Sequence, residues 1–113
     1  MFLEKQQFDE ILVLEPSIES LDSRNADEFH RKLTEIIDNG HARLVLNMEP
    51  LKFVDSRGIG AVIVILKRLE GQGHLVLCSL QEPVMATFRL TRLDRVCDIT
   101  DTVAEAVRLI RQN

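Results

Sequence analysis

Phe53-Val54-Asp55-Ser56-Arg57-Gly58-Ile59-Gly60, with the apolar run Ala61 to Leu66 behind it, decides how the rest of the chain is read. A short hydrophobic approach ends in an acid and a hydroxyl, two glycines allow a tight turn, and a long apolar segment closes with Lys67-Arg68-Leu69-Glu70. The run Ala-Val-Ile-Val-Ile-Leu is rich in β-branched residues, and periodicity alone does not separate a buried strand from a buried helix. Its neighbours do. Leu44-Val45-Leu46-Asn47-Met48 before it and Leu75-Val76-Leu77-Cys78-Ser79-Leu80 after it are near-continuous apolar runs, the pattern of parallel strands buried on both faces. Parallel strands need a crossover, usually helical, and the gap here is roughly twice the minimum of a dozen residues. The stretch therefore predicts a helix from about Ser56 to Glu70, with Gly71-Gln72-Gly73 as its left-handed stop.

A helix that begins at Ser56 presents unpaired backbone N–H groups and a partial positive charge at its first turn, where Asp55 or Ser56 can cap it. A phosphoryl group added there is expected to meet both the donors and the favourable dipole.

Working outward, the N-terminal side opens with a hairpin, Met1 to Phe8 turning through Asp9-Glu10 into Ile11 to Glu15, with Pro16 ending or edging the strand. Ser17 to Asn25 is polar and irregular, with Ile18 and Leu21 as core anchors. From Ala26 to Asn39 the apolar positions Ala26, Phe29, Leu33, Ile36 and Ile37 share one helical face, Glu28, Arg31, Lys32 and Glu35 face water, and Gly40 sits where a helix stops. Arg43 to Met48 is a strand. On the C-terminal side, His74 to Leu80 is a strand and Pro83 opens a short helix with Val84 and Phe88 inward. Val96 to Ile99 forms a last strand. Thr102-Val103-Ala104-Glu105 has the form of a capping box, and Val103, Ala106, Val107 and Ile110 stripe the final helix. The expected fold class is α/β: one domain over residues 1–113, a mixed and mostly parallel β-sheet with about four α-helices.

Composition narrows the function. The net charge of −4 and pI near 5.3 argue against a nucleic-acid surface, which needs a basic face. Five Phe with no Trp or Tyr supply few stacking platforms for bases. A protein partner is the better expectation. Met1-Phe2-Leu3-Glu4-Lys5 lacks the regions of a signal peptide, and no apolar stretch approaches the roughly 20 residues of a membrane span, so the expected location is the cytoplasm, without membrane insertion. Cys78 and Cys97 fall in expected buried strands and read as reduced core thiols. His30, His41 and His74 are isolated from one another and from the cysteines, so no metal is expected. Gly58-Ile59-Gly60 is not a complete dinucleotide or P-loop fingerprint, and neither catalysis nor a cofactor is expected.

The sequence resembles the STAS domain and, within it, the bacterial anti-sigma-factor antagonists. These carry a strand followed by Asp-Ser-Ser/Thr-Gly-Leu-Gly, matched here by Asp55-Ser56-Arg57-Gly58-Ile59-Gly60. Leu21-Asp22 with Asn25-Ala26 looks like the family's segment opening the first helix, and Leu90-Thr91-Arg92-Leu93-Asp94-Arg95-Val96 like its Leu-Thr-Gly-Leu-Asp segment before the last strand. The resemblance implies a STAS-type domain that binds an anti-sigma factor with serine kinase activity. In that family the kinase phosphorylates a hydroxyl in this motif, and a PP2C-type phosphatase restores it. The implied partner surface is Asp22, Asp55, Ser56, Arg57, Gly58 and Ile59.

Two positions depart from the family pattern. The usual acceptor is the second hydroxyl, immediately before glycine, and that position is Arg57. Ser56 is left as the phosphorylation candidate; its alternative role is that of a helix-terminal hydroxyl satisfying a backbone N–H. Arg57 is positioned to pair with an acidic partner or with a phosphate on Ser56. Arg92 stands where the family has glycine, and an altered loop is expected there because arginine resists positive φ. The alternative functions are an unphosphorylated STAS scaffold, for example the small cytoplasmic subunit of a lipid-transport ABC complex, and an enzyme or small-ligand binder using the Asp55/Gly58 turn.

Overall fold

The structure, a computed structural model, describes residues 1–113. In chain order its elements are β1 (Leu3–Phe8), β2 (Ile11–Pro16), β3 (Ser20–Leu21), α1 (Ala26–Asp38), β4 (Arg43–Asn47), β5 (Phe53–Val54), α2 (Ser56–Leu69), β6 (His74–Cys78), α3 (Glu82–Leu90), a 3-10 turn at Leu93–Arg95, β7 (Asp98–Thr100) and α4 (Val103–Arg111). The hairpin β1–β2 is antiparallel and turns through Asp9, whose φ of 55 is one that Asp tolerates. From β2 the sheet continues in parallel, giving the order β1-β2-β4-β6-β7. The mixed, mostly parallel sheet with four helices matches the expected fold class.

The apolar runs are continuous because both faces of the sheet are covered. Successive side chains on a strand point to opposite faces. Leu12, Leu14, Leu44, Leu46, Leu75 and Leu77 pack in the larger core with α1, α2 and α3. Ile11, Val13, Val45, Val76 and Cys78 pack on the other face against Ala106, Val107 and Ile110 of α4. Leucines thus face the three-helix layer, and β-branched residues with Cys78 face the single helix.

Helix α1 buries the five apolar residues that its spacing singles out, and α2 begins and ends within one residue of its expected limits. Gly40 (φ 102) and Gly71 (φ 78) follow α1 and α2 in the left-handed conformation. Pro83 lies in the first turn of α3, with Val84 and Phe88 fully buried. In α4 the Thr102 hydroxyl oxygen accepts from the Glu105 backbone N–H at 3.1 Å. Its O–H donates to the Glu105 carboxylate at 3.0 Å, so Glu105 engages the capping side chain rather than the Thr102 backbone.

Four expectations are corrected. Ser17 to Asn25 is not wholly irregular: Ser20–Leu21 pairs in parallel with Phe53–Val54, forming a second, two-stranded sheet. The two glycines of the central motif lie inside α2 rather than in a turn before it. The last strand starts at Asp98, because the Val96 and Cys97 N–H groups both donate to the Leu93 carbonyl and are lost to the ladder; Cys97 is therefore buried beside the strand, not in it. Arg92 does take positive φ (61), so the arginine side chain does not keep this loop out of the left-handed conformation.

Candidate functional site

The small β3–β5 sheet builds the site. Its pairs Ser20↔Phe53 and Leu21↔Val54 bring the loop before α1 alongside the loop before α2. Three further bonds hold the two loops together. The Lys52 N–H donates to the Glu19 carbonyl at 2.7 Å and the Asp55 N–H to the Leu21 carbonyl at 3.2 Å; the Ser23 N–H donates to Asp55 Oδ2 at 3.2 Å. Gly58 permits this closeness. A Cβ there would lie on the Leu21 carbonyl oxygen and 2.7 Å from Val54 Cγ2, so only glycine lets the first turn of α2 approach the β3 backbone.

Asp55 is the cap of α2. With extended backbone (φ −104, ψ −174), its Oδ1 accepts from the N–H groups of Arg57 and Gly58, both at 2.9 Å. Its two oxygens therefore serve three backbone donors on two segments. Two consequences follow for Ser56. The capping role open to its hydroxyl is filled by its neighbour, which leaves an exposed hydroxyl at the first residue of α2. Of the donors expected to receive a phosphate, the N–H groups of Arg57, Gly58 and Ile59 are already committed to Asp55, which narrows the sequence reading of this terminus.

Arg57 is exposed, and its guanidinium reaches Asp27 on α1 at 3.7 Å. The pair spans the mouth of a shallow groove between α1 and α2, about 340 Å³ in volume, lined by Ala26, Asp27, His30, Ser56, Arg57, Gly60, Ala61 and Val64. Small residues on the facing helices leave room for the groove. Ser56, Gly60 and Val64 recur at a spacing of four and fall in one line along α2. Val64 is 46% exposed although it sits in the middle of the apolar run, and Phe53, two residues before Asp55, is 55% exposed.

Asp22 organises the other loop. It is buried, and its carboxylate is gripped by both fork nitrogens of Arg24 (3.0 Å from Nε to Oδ1, 2.7 Å from Nη2 to Oδ2), by the Ser20 hydroxyl at 2.6 Å and by the Arg24 N–H at 3.0 Å. Hydrogen bonds from Arg24 and then Ser20 hold this carboxyl well below the usual range, and Asp22 in turn pushes the Arg24 guanidinium up. Asn25 locks the turn: its side chain accepts from the Asp22 N–H at 3.0 Å and donates to the Ser20 carbonyl at 2.8 Å.

Of the six residues expected at a partner surface, the structure exposes Ser56 and Arg57 and half-buries Asp55. Asp22, Gly58 and Ile59 are buried. Asp27, His30, Val64 and Phe53 were not singled out by sequence. The line Ser56, Gly60, Val64 was readable from its spacing; Asp27 and His30 belong to another helix and enter only through packing. Away from the site, burial pushes the Cys97 thiol up to about 12 and raises that of Cys78 as well. Both are free thiols. No three His, Cys, Asp or Glu side chains cluster as metal ligands would, and no helix is long and apolar enough to cross a membrane.

Comparison with known proteins agrees with this architecture. The family model described as the STAS domain matches residues 2–106. A Thermotoga maritima protein with the provisional name anti-sigma factor antagonist is 31% identical over 106 residues, covering 92% of this chain and 93% of that protein. A Bordetella bronchiseptica protein, BtrV, provisionally named in the same way, is 33% identical over 72 residues, or 63% of this chain and 62% of its own length. A crystal structure of a Thermotoga maritima protein described likewise superposes with a TM-score of 0.91 at 28% identity, covering 96% of this chain and 94% of that one.

Proposed function

The chain belongs to the STAS domain family, and from that premise we propose that it is an anti-sigma-factor antagonist of a partner-switching pathway in the bacterial cytoplasm. It docks on an anti-sigma factor with serine kinase activity and is released when Ser56 is phosphorylated. The carrying observation is the division of labour at the start of α2: Asp55 supplies the cap, and the Ser56 hydroxyl remains exposed and uncommitted. The kinase transfers the γ-phosphoryl of ATP to Ser56 Oγ, the hydroxyl proton passes to a kinase base, and ADP leaves. A PP2C-type phosphatase returns the hydroxyl by hydrolysis. The chain itself performs no catalysis.

The release mechanism is electrostatic. A phosphoserine brings about 1.5 to 2 negative charges to a surface that must dock closely, next to the Asp55 carboxylate. Of the helix N–H groups that would stabilise it, those of Arg57, Gly58 and Ile59 are held by Asp55, so most of the added charge faces the partner. The contact surface is the rim of the α1–α2 groove with Ser56 and Arg57 at its centre, and Asp22, Asp55, Gly58 and Ile59 set its shape.

The test is incubation with ATP and the anti-sigma kinase from the same genome, followed by mass analysis. A gain of one phosphate at Ser56, absent from Ser56→Ala, is expected. Ser56→Asp and Arg57→Glu should weaken the kinase complex at least ~10-fold, about 1.4 kcal/mol, with the circular-dichroism unfolding transition retained. A complex indifferent to Ser56→Asp rejects the switch. Arg57 in the place of the usual hydroxyl is the one observation favouring an unphosphorylated scaffold subunit, for which co-purification with a transporter ATPase and an unmodified Ser56 is the expected result.

A further inference from the structure

We propose that Arg57 changes partners when Ser56 is modified: in the unmodified chain it bridges the groove to Asp27, and a phosphate on Ser56 draws it back onto α2, leaving Asp27 as a bare anion on α1. This inference rests on the reading of Ser56 as the acceptor. It assigns to Arg57 and Asp27 a function in the switch that neither has by itself.

Three observations carry it. The first is a shortage of other donors. The Arg57 and Gly58 N–H groups go to Asp55 Oδ1, the Ile59 N–H goes to the Asp55 carbonyl, and Asp55 Oδ2 is occupied by the Ser23 N–H. The Ser56 N–H is left as the single backbone donor beside the hydroxyl, so a phosphate at Ser56 must find most of its counter-charge among side chains. The second is proximity. Ser56 and Arg57 are consecutive at the start of α2 and line the same groove, where Arg57 is the one fixed cation beside Asp27 and His30. The third is the weakness of the existing pair. Arg57 and Asp27 stand 3.7 Å apart with side chains 62% and 92% exposed, the setting in which an ion pair contributes least. A phosphate offers nearly twice the charge of a carboxylate and accepts a guanidinium in a two-pronged, charge-assisted contact.

The physical consequence is a change on both walls of the groove. The α2 wall gains a phosphate partly neutralised by Arg57, and the α1 wall loses the cation that had covered Asp27. The modification is thereby felt one helix away from the modified residue, without any movement of the backbone. A hydroxyl at position 57 offers no such transfer.

The experiment installs phosphoserine at position 56 during translation, so that its outcome does not depend on whether a kinase modifies this residue in the cell. The phosphorus-31 chemical shift is then titrated from about pH 4 to 8, across the second phosphate ionisation near 6. Arg57→Ala is expected to raise that ionisation by several tenths of a unit, because the phosphate dianion loses its cation. Asp27→Asn is expected to lower it, and to do so by more when Arg57 is present than in the Arg57→Ala background, because only then does it free a competing guanidinium. His30 lines the same groove, so the series is repeated with His30→Gln. An ionisation unmoved by Arg57→Ala, or an Asp27→Asn effect equal in the two backgrounds, overturns the exchange while leaving phosphorylation of Ser56 untouched.

Discussion

The two glycines of the central motif do different work. A side chain at Gly58 collides with the Leu21 carbonyl and Val54, while nothing lies within 4 Å of a Cβ at Gly60. Gly58→Ala should therefore cost about 3 kcal/mol or more, since rigid backbone must move. Gly60→Ala should raise stability by about 0.5–1 kcal/mol by removing helix-interior glycine. Urea midpoints of the two variants check this pair, and a mild Gly58→Ala would mean that the β3 and α2 backbones are less tightly apposed. Asp22 gives the second residue-scale prediction. Its folded-state ionisation is depressed, so its contribution is fully present above the unfolded value near 3.9 and is lost as pH falls below it. Asp22→Asn should lower stability at pH 7 and flatten the loss as pH falls from about 4 towards 2, as measured by denaturant midpoints across that range.

At the scale of elements, the short pieces decide the site. A two-residue bridge, β3–β5, holds the two loops that carry Asp22 and Asp55, while the long, regular helices mainly supply core. The turn at Leu93–Arg95 shows the same economy, since its carbonyl captures two N–H groups and delays β7 until Asp98. Arg92 precedes that turn with φ 61, a conformation that costs a non-glycine residue roughly 1–2 kcal/mol. Arg92→Gly should relieve it and raise stability by up to about 1 kcal/mol after the greater chain entropy of glycine is subtracted. An unchanged or lowered thermal midpoint would show that the Arg92 side chain has contacts that compensate the strain.

At the scale of the whole molecule, β4 and β6 are central in the sheet, paired on both edges and covered on both faces. Their amide protons should exchange most slowly, near the global unfolding rate, with β1 and β7 faster because each has one free edge. Hydrogen exchange read by mass spectrometry or NMR checks the ranking. Equal protection in β1 and β4 would point to an edge covered by another chain. The site is built on the separate β3–β5 sheet, from which α2 starts, and a surface charge there can change without disturbing the core of this rigid sheet.

Much of this was legible in sequence because it depends on local pattern. The alternation of apolar runs and helical stripes set the α/β class. The same pattern gave the limits of α1 and α2, the hairpin and the buried faces, and the Asp55-Ser56 junction marked the start of the central helix. Most of these follow from the periods of strand and helix, which neighbouring residues express whatever the rest of the chain does; α2 is the exception, its β-branched run being assigned from the flanking strands and the crossover they require. What the tertiary structure decided involves residues far apart in the chain. Asp55, not Ser56, caps α2, and one of its oxygens is spent on Ser23, 32 residues away. Asp22 is buried under Arg24, Gly58 makes room for Leu21, and Arg57 reaches Asp27 on another helix. Such contacts have no sequence period. They exist because packing two loops together forces each backbone donor to find an acceptor, and the pairing that satisfies them is fixed only in three dimensions.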